Sequence, residues 1–126
     1  MLNQCQYCVD HHFTGLKRLV NDSAECESIY RALESGELDQ HFSGTELAAL
    51  SYARKLTHSP GSMIEADVKA LQDAGLSDGQ ILEINQVTAY FAYANRTVLG
   101  LGVNTHGDII GLSPGDSADP DNWQHT

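Results

Sequence analysis

Three times in this chain a serine stands three residues before a glutamate or glutamine, and each time a helix-like segment follows. Ser43 with Glu46 precedes Leu47-Ala48-Ala49-Leu50-Ser51-Tyr52-Ala53. Ser62 with Glu65 precedes Ala66 to Ala74, and Ser77 with Gln80 precedes Ile81 to about Leu99. This is capping-box spacing, in which a hydroxyl and a longer side chain each bond the other's backbone N–H at a helix start. Gly75 and Gly100-Leu101-Gly102 stand where helices stop, and Pro60-Gly61 separates two of the segments as a turn. Earlier, apolar residues recur at helical spacing from about Leu2 to Val20. Asn21-Asp22-Ser23 breaks that segment and starts another, about Ala24 to Ser35, which Gly36 ends. No run alternates for long enough to make a strand, and Ile109-Ile110 is too short to count. The expected fold is all-α, a bundle of helices.

The length of 126 residues suits one domain, and a hydrophobic content of 41% supports a core. Residues 1–103 form the expected helical domain. Residues 104–126, rich in Gly, Pro, Ser and Asp, form an irregular tail whose lone Trp123 marks a docking point, on a neighbouring subunit for example. Seventeen acidic against seven basic side chains give a formal net charge of −10, which repels nucleic-acid phosphates and anionic lipid. No stretch is apolar for long enough to span a bilayer, and Met1-Leu2-Asn3-Gln4 has no basic start leading into an apolar run. A cytoplasmic, reducing setting is therefore expected. There, three cysteines do not build a disulfide framework, and a C-x-x-C pair points to redox or metal chemistry.

That pair is Cys5-Gln6-Tyr7-Cys8, with His12 four residues on. At ~100° per residue, Cys5, Cys8, His12, Leu16 and Leu19 share one stripe of the first helix, while Asp10 and Lys17 face elsewhere. A thiolate, and not a thiol, is the nucleophile. The first turns of a helix favour negative charge, and His12 can take a proton from Cys8 across one turn. Burial works against both effects, so they must outweigh it. Attack on a peroxide would give a sulfenic acid at Cys8, which Cys5 could resolve as a disulfide and a partner dithiol could reduce. Two other readings stay open. The cysteines can be small apolar residues packed one turn apart, or zinc ligands with His11 or His12, although ligands on one helix close a tetrahedron poorly.

His11 is rotated away from the pair and reads as a surface or interface residue. Cys26 reads as buried and apolar. His41, His58, His106 and His125 lie in turns or tails and read as solvated. Tyr90-Phe91-Tyr93 reads as core or subunit interface, and Arg96 as a cation capping helix carbonyls.

The cysteine motif with His12 resembles the carboxymuconolactone decarboxylase superfamily, and more nearly its alkyl hydroperoxidase D-like, peroxidase-related branch. Supporting stretches are Thr45-Glu46-Leu47 through Leu56-Thr57, Gly75-Leu76-Ser77-Asp78 with Ile81-Leu82-Glu83-Ile84, and Tyr90-Phe91-Ala92-Tyr93-Ala94-Asn95-Arg96 with Gly100-Leu101-Gly102. Together they cover about residues 3–103. The resemblance implies an all-helical homo-oligomer, often a trimer or hexamer. It also implies a disulfide-cycling peroxidase needing no metal, haem or flavin, reduced by a thiol or lipoyl-bearing protein. In those terms Cys8 is the attacking thiol, Cys5 the resolving and more accessible one, and His12 the proton acceptor. The superfamily's decarboxylases lack the cysteine pair. The family also places a relay glutamate about a dozen residues before the first cysteine, where this sequence has only four residues. The candidate replacement is Glu83 on the long helix, and association with neighbours is expected to supply the missing core surface.

Overall fold

The computed structural model describes residues 1–111. They form five α-helices: α1 (Gln6–Val20), α2 (Ser23–Ser35), α3 (Gly44–His58), α4 (Glu65–Asp73) and α5 (Asp78–Leu101). Short 3₁₀ turns at Leu38–Gln40 and Pro60–Ser62 flank α3, and no strand occurs among the described residues. The expected all-α class holds. No helix among these residues is long and apolar enough to cross a membrane.

The helix ends follow local chemistry. Asp22 caps α2, its carboxylate accepting from the N–H groups of Ala24 and Glu25 at 2.9 and 3.1 Å. Gly36 ends that helix at φ +77°, its N–H returning to the Ala32 carbonyl. Of the three expected capping boxes, only Ser77–Gln80 closes as written. Ser43 is the N-cap of α3 but makes no side-chain cap bond. Ser62 falls in a 3₁₀ turn, and α4 begins one residue before its expected start, with Ile64 as N-cap. There Asp67 reaches back to the Ile64 N–H at 2.8 Å and also binds Lys55 Nζ through both oxygens, at 2.7 and 2.6 Å. The competing acidic side chain wins because it bonds the backbone of its own helix start and a cation of α3 together.

α3 packs on α5 and α4, and α4 packs on α5. Their core is Tyr52, Leu71 and Ile81, wrapped by Ala48, Leu56, Met63, Leu76 and Ile84. Tyr52 keeps its hydroxyl satisfied by accepting from Asn85 Nδ2 at 2.9 Å. The second layer is α1 on α2, joined by the rings of Phe13 and Tyr30 at 4.7 Å between centroids. Cys26 is buried on α2, as expected.

Residues 104–111 have no regular structure but turn back onto α1. Gly111 is buried there at φ +76°, where an added Cβ would meet the Thr14 side chain at 2.5 Å. A Cβ at Gly15 would sit 3.8 Å from the Gly111 carbonyl oxygen, an ordinary contact. Arg18 donates to the Ile110 carbonyl at 3.4 Å. The expected docking role of Trp123 lies outside the described residues, as does His125.

Candidate functional site

Cys5 is the N-cap of α1 and Cys8 sits in its first turn, so the pair occupies the positive end of a helix dipole. Helical spacing then brings His12 one turn beyond Cys8. Cys5, Cys8, His12 and Leu16 line a single cavity of about 420 Å³, but Leu19, expected on the same stripe, is 84% exposed. Leu2, Val9, Phe13, Leu33 and Phe91 make most of the remaining wall apolar.

The long helix α5 supplies the opposite wall. Phe91 stands edge-on to the His12 ring at 4.8 Å between centroids, and Asn95 donates from Nδ2 to Cys8 Sγ at 2.9 Å. Cys8 with His12 and Asn95 with Phe91 are each spaced by four residues, so the two helices meet here in antiparallel register. Asn95 is itself buried, and its Oδ1 accepts from Asn3 Nδ2 at 2.6 Å. Sequence reasoning missed Asn95 as a site residue. An asparagine in the apolar run of a helix was the available signal, because a buried amide needs partners.

All three cysteines are free thiols. Cys5 is 2% exposed and Cys8 only partly covered, which reverses the expected accessibility: Cys8 is the sulfur that solvent reaches. The proton balance also differs from expectation. Burial is the largest influence on Cys8, followed by hydrogen bonding and charge from Cys5, and together they push its thiol up to about 11. The Asn95 amide works the other way. His12 is shifted down from its ordinary value, first by partial burial and then by the charge of His11. The residue as a whole is nonetheless exposed to solvent. At neutral pH the pair is thus a thiol beside a neutral imidazole.

His11 turns away from the cavity, as expected. Its ring lies on Tyr7 at 4.5 Å and its Nε2 is 3.5 Å from Asp108 Oδ2, in the segment returning from α5. Glu83 lies on the exposed face of α5, eight residues before Phe91, which is about 12 Å along the helix. It is not among the residues lining the cavity. His41, expected to be solvated, is tied to Ser28 at 2.8 Å and to Glu25 at 3.4 Å, while His58 and His106 are exposed. Arg96 donates to the Ala92 carbonyl at 2.6 Å. The aromatic cluster divides: Phe91 faces His12, and Tyr90 and Tyr93 are 61% and 70% exposed. No three His, Cys, Asp or Glu side chains among the described residues are grouped to hold a metal ion. The arrangement can hold a nucleophilic sulfur, a second sulfur and a base against an apolar wall.

No family model matches the chain, and no curated protein matches it either.

Proposed function

We propose that this protein is a thiol-dependent peroxidase of the alkyl hydroperoxidase D-like kind, working in antioxidant defence in a reducing, cytoplasmic setting. The observation that supports this best is the meeting of Cys5, Cys8 and His12 in one largely apolar cavity. His12, neutral at physiological pH, accepts the Cys8 proton. The thiolate attacks the peroxide: an S–O bond forms, the O–O bond breaks, and the leaving oxygen takes the proton from His12. The sulfur is oxidised by two electrons and the peroxide is reduced by two. Cys5 then attacks the sulfenic sulfur, forming the disulfide and releasing water. A thiol or lipoyl-type protein donor returns the dithiol by exchange, becoming a disulfide itself. The sulfur of Cys8, the less covered of the two, is the natural point of contact for that donor.

We also infer a homo-oligomer. Leu82, Tyr90, Tyr93 and Leu101 fall within one arc of α5, and all four are more than half exposed. A stripe of this kind suits a helix–helix contact with further copies.

The test is turnover of a hydroperoxide with a dithiol donor. Wild type is expected to exceed the uncatalysed rate and Cys8→Ser to abolish the excess. A Cys8→Ser variant equal to wild type would end the peroxidase reading. One observation favours a second reading, a protein disulfide reductase or redox sensor using the same pair: a thiol pushed up to about 11 attacks peroxide slowly. Exchange with protein disulfides at rates unaffected by His12→Phe would favour it.

A further inference from the structure

We infer that Asn95, oriented by Asn3, is the catalytic residue that holds negative charge on Cys8, with Asn3 as its positioning residue. The inference rests on the reading of Cys8 as the attacking sulfur.

Asn95 is the buried polar side chain of the core, 6% exposed. Burying an amide is costly unless both its ends are satisfied, and a leucine would fill the same helical position without that demand. Here both ends are engaged. Asn3 Nδ2 donates to Oδ1 at 2.6 Å, which leaves Nδ2 to point at Cys8 Sγ at 2.9 Å. This chain of bonds turns the N–H of the amide toward the sulfur. If the Asn95 amide alone turned over, its oxygen would face the sulfur and oppose charge there, and Asn3 as it stands would lose its acceptor.

An N–H aimed at a sulfur does little for a neutral thiol and much more for a thiolate, because bonds to an ionised acceptor are the stronger ones. The donor therefore acts as charge develops, which is when His12 takes the proton. It opposes burial, which otherwise keeps Cys8 protonated. The titratable groups acting on this sulfur or sharing its cavity are Cys5, Tyr7, His12 one turn along α1 and the amino group of Met1. None of them is on α5, so the contribution from that helix is the Asn95 amide alone among the described residues.

The experiment is the rate of iodoacetamide alkylation of Cys8 in the full chain between pH 7 and 10, read by the mass of the Cys8 peptide. Asn95→Ala removes the donor, and Asn95→Asp replaces it with an acceptor of the same shape. Each is expected to slow alkylation roughly tenfold across the range, equivalent to a rise of about one pKa unit. Asn3→Ala is expected to slow it less, in the same direction. Peroxide turnover should fall in parallel and recover as pH is raised. Folded Asn95 variants whose Cys8 alkylates at the wild-type rate would overturn the inference. Should those variants fail to fold, an unchanged rate in Asn3→Ala would overturn it. Because alkylation needs no peroxide, a slowed rate in a protein without turnover would leave this inference standing and remove the peroxidase reading alone.

Discussion

Cys8 is pulled in two directions, and the outcome has a sign that can be measured. Burial and Cys5 raise its thiol to about 11, so the thiolate fraction grows about tenfold per pH unit through the neutral range. Peroxide turnover is expected to climb from pH 7 to 10 without a plateau, as followed by initial rates. A plateau already reached at pH 7 would contradict the assignment. The same shift bears on stability. A thiol whose folded value lies above the unfolded one stabilises the fold below about 9, and that contribution is lost as pH rises through about 11. Gly111 is the other residue whose local demand is exact. It needs a left-handed backbone and meets Thr14 where a Cβ would sit, so Gly111→Ala should cost roughly 1–3 kcal/mol. Faster proteolysis within residues 104–111 would report it. Neither feature was legible beforehand: Cys8 was visible as a motif, but the balance of burial against dipole depends on what covers the sulfur.

Helix α4 holds to the bundle through one side chain below and one at its start. Leu71 is 1% exposed and is surrounded by α3 and α5, so Leu71→Ala should cost about 2–5 kcal/mol in urea denaturation. Asp67 joins the start of α4 to Lys55 of α3. The Lys55 ammonium and then the Ile64 N–H hold its carboxyl below the usual carboxylate range. Its contribution is therefore present above that range and disappears as pH falls through the lowered value. Asp67→Asn should lower the thermal midpoint at pH 7 and narrow the gap from wild type in acid, as read by circular dichroism. At this scale much was visible in the chain. Ser77 and Gln80 are adjacent to the helix they start, and Gly36 to the one it ends, so local spacing suffices. Ser62 misled because its hydroxyl bonds the Ser59 carbonyl within the 3₁₀ turn, while Asp67 caps α4 through the Ile64 N–H and is held by Lys55, twelve residues away.

Across the whole molecule the notable quantity is how little of the chain is covered. Seven apolar side chains among the described residues are buried, while Tyr90, Tyr93 and Leu101 on α5 stand open. Changing Tyr90 and Tyr93 together to glutamate should convert an oligomer to monomers in analytical ultracentrifugation. A wild-type chain that sediments as a monomer at micromolar concentration would end the oligomer reading. Tyr90-Phe91-Tyr93 was readable as core or interface, but which of them face inward was not. Phe91 and Tyr90 are neighbours in sequence, and only the position of α1 sends one to His12 and leaves the other outside.

Local order is what the sequence determined by itself: which segments are helical, the Ser77–Gln80 start, the stops at Gly36 and Gly102, the absence of strands from 1 to 111, and Cys8 one turn before His12. These depend on residues within about a turn of one another, and backbone bonding is decided at that range. The tertiary structure alone decided that Asn95 reaches Cys8, that Cys5 is the covered sulfur and that Glu83 lies outside the cavity. Each of those depends on residues far apart in the chain, and packing settles such contacts only when whole helices meet.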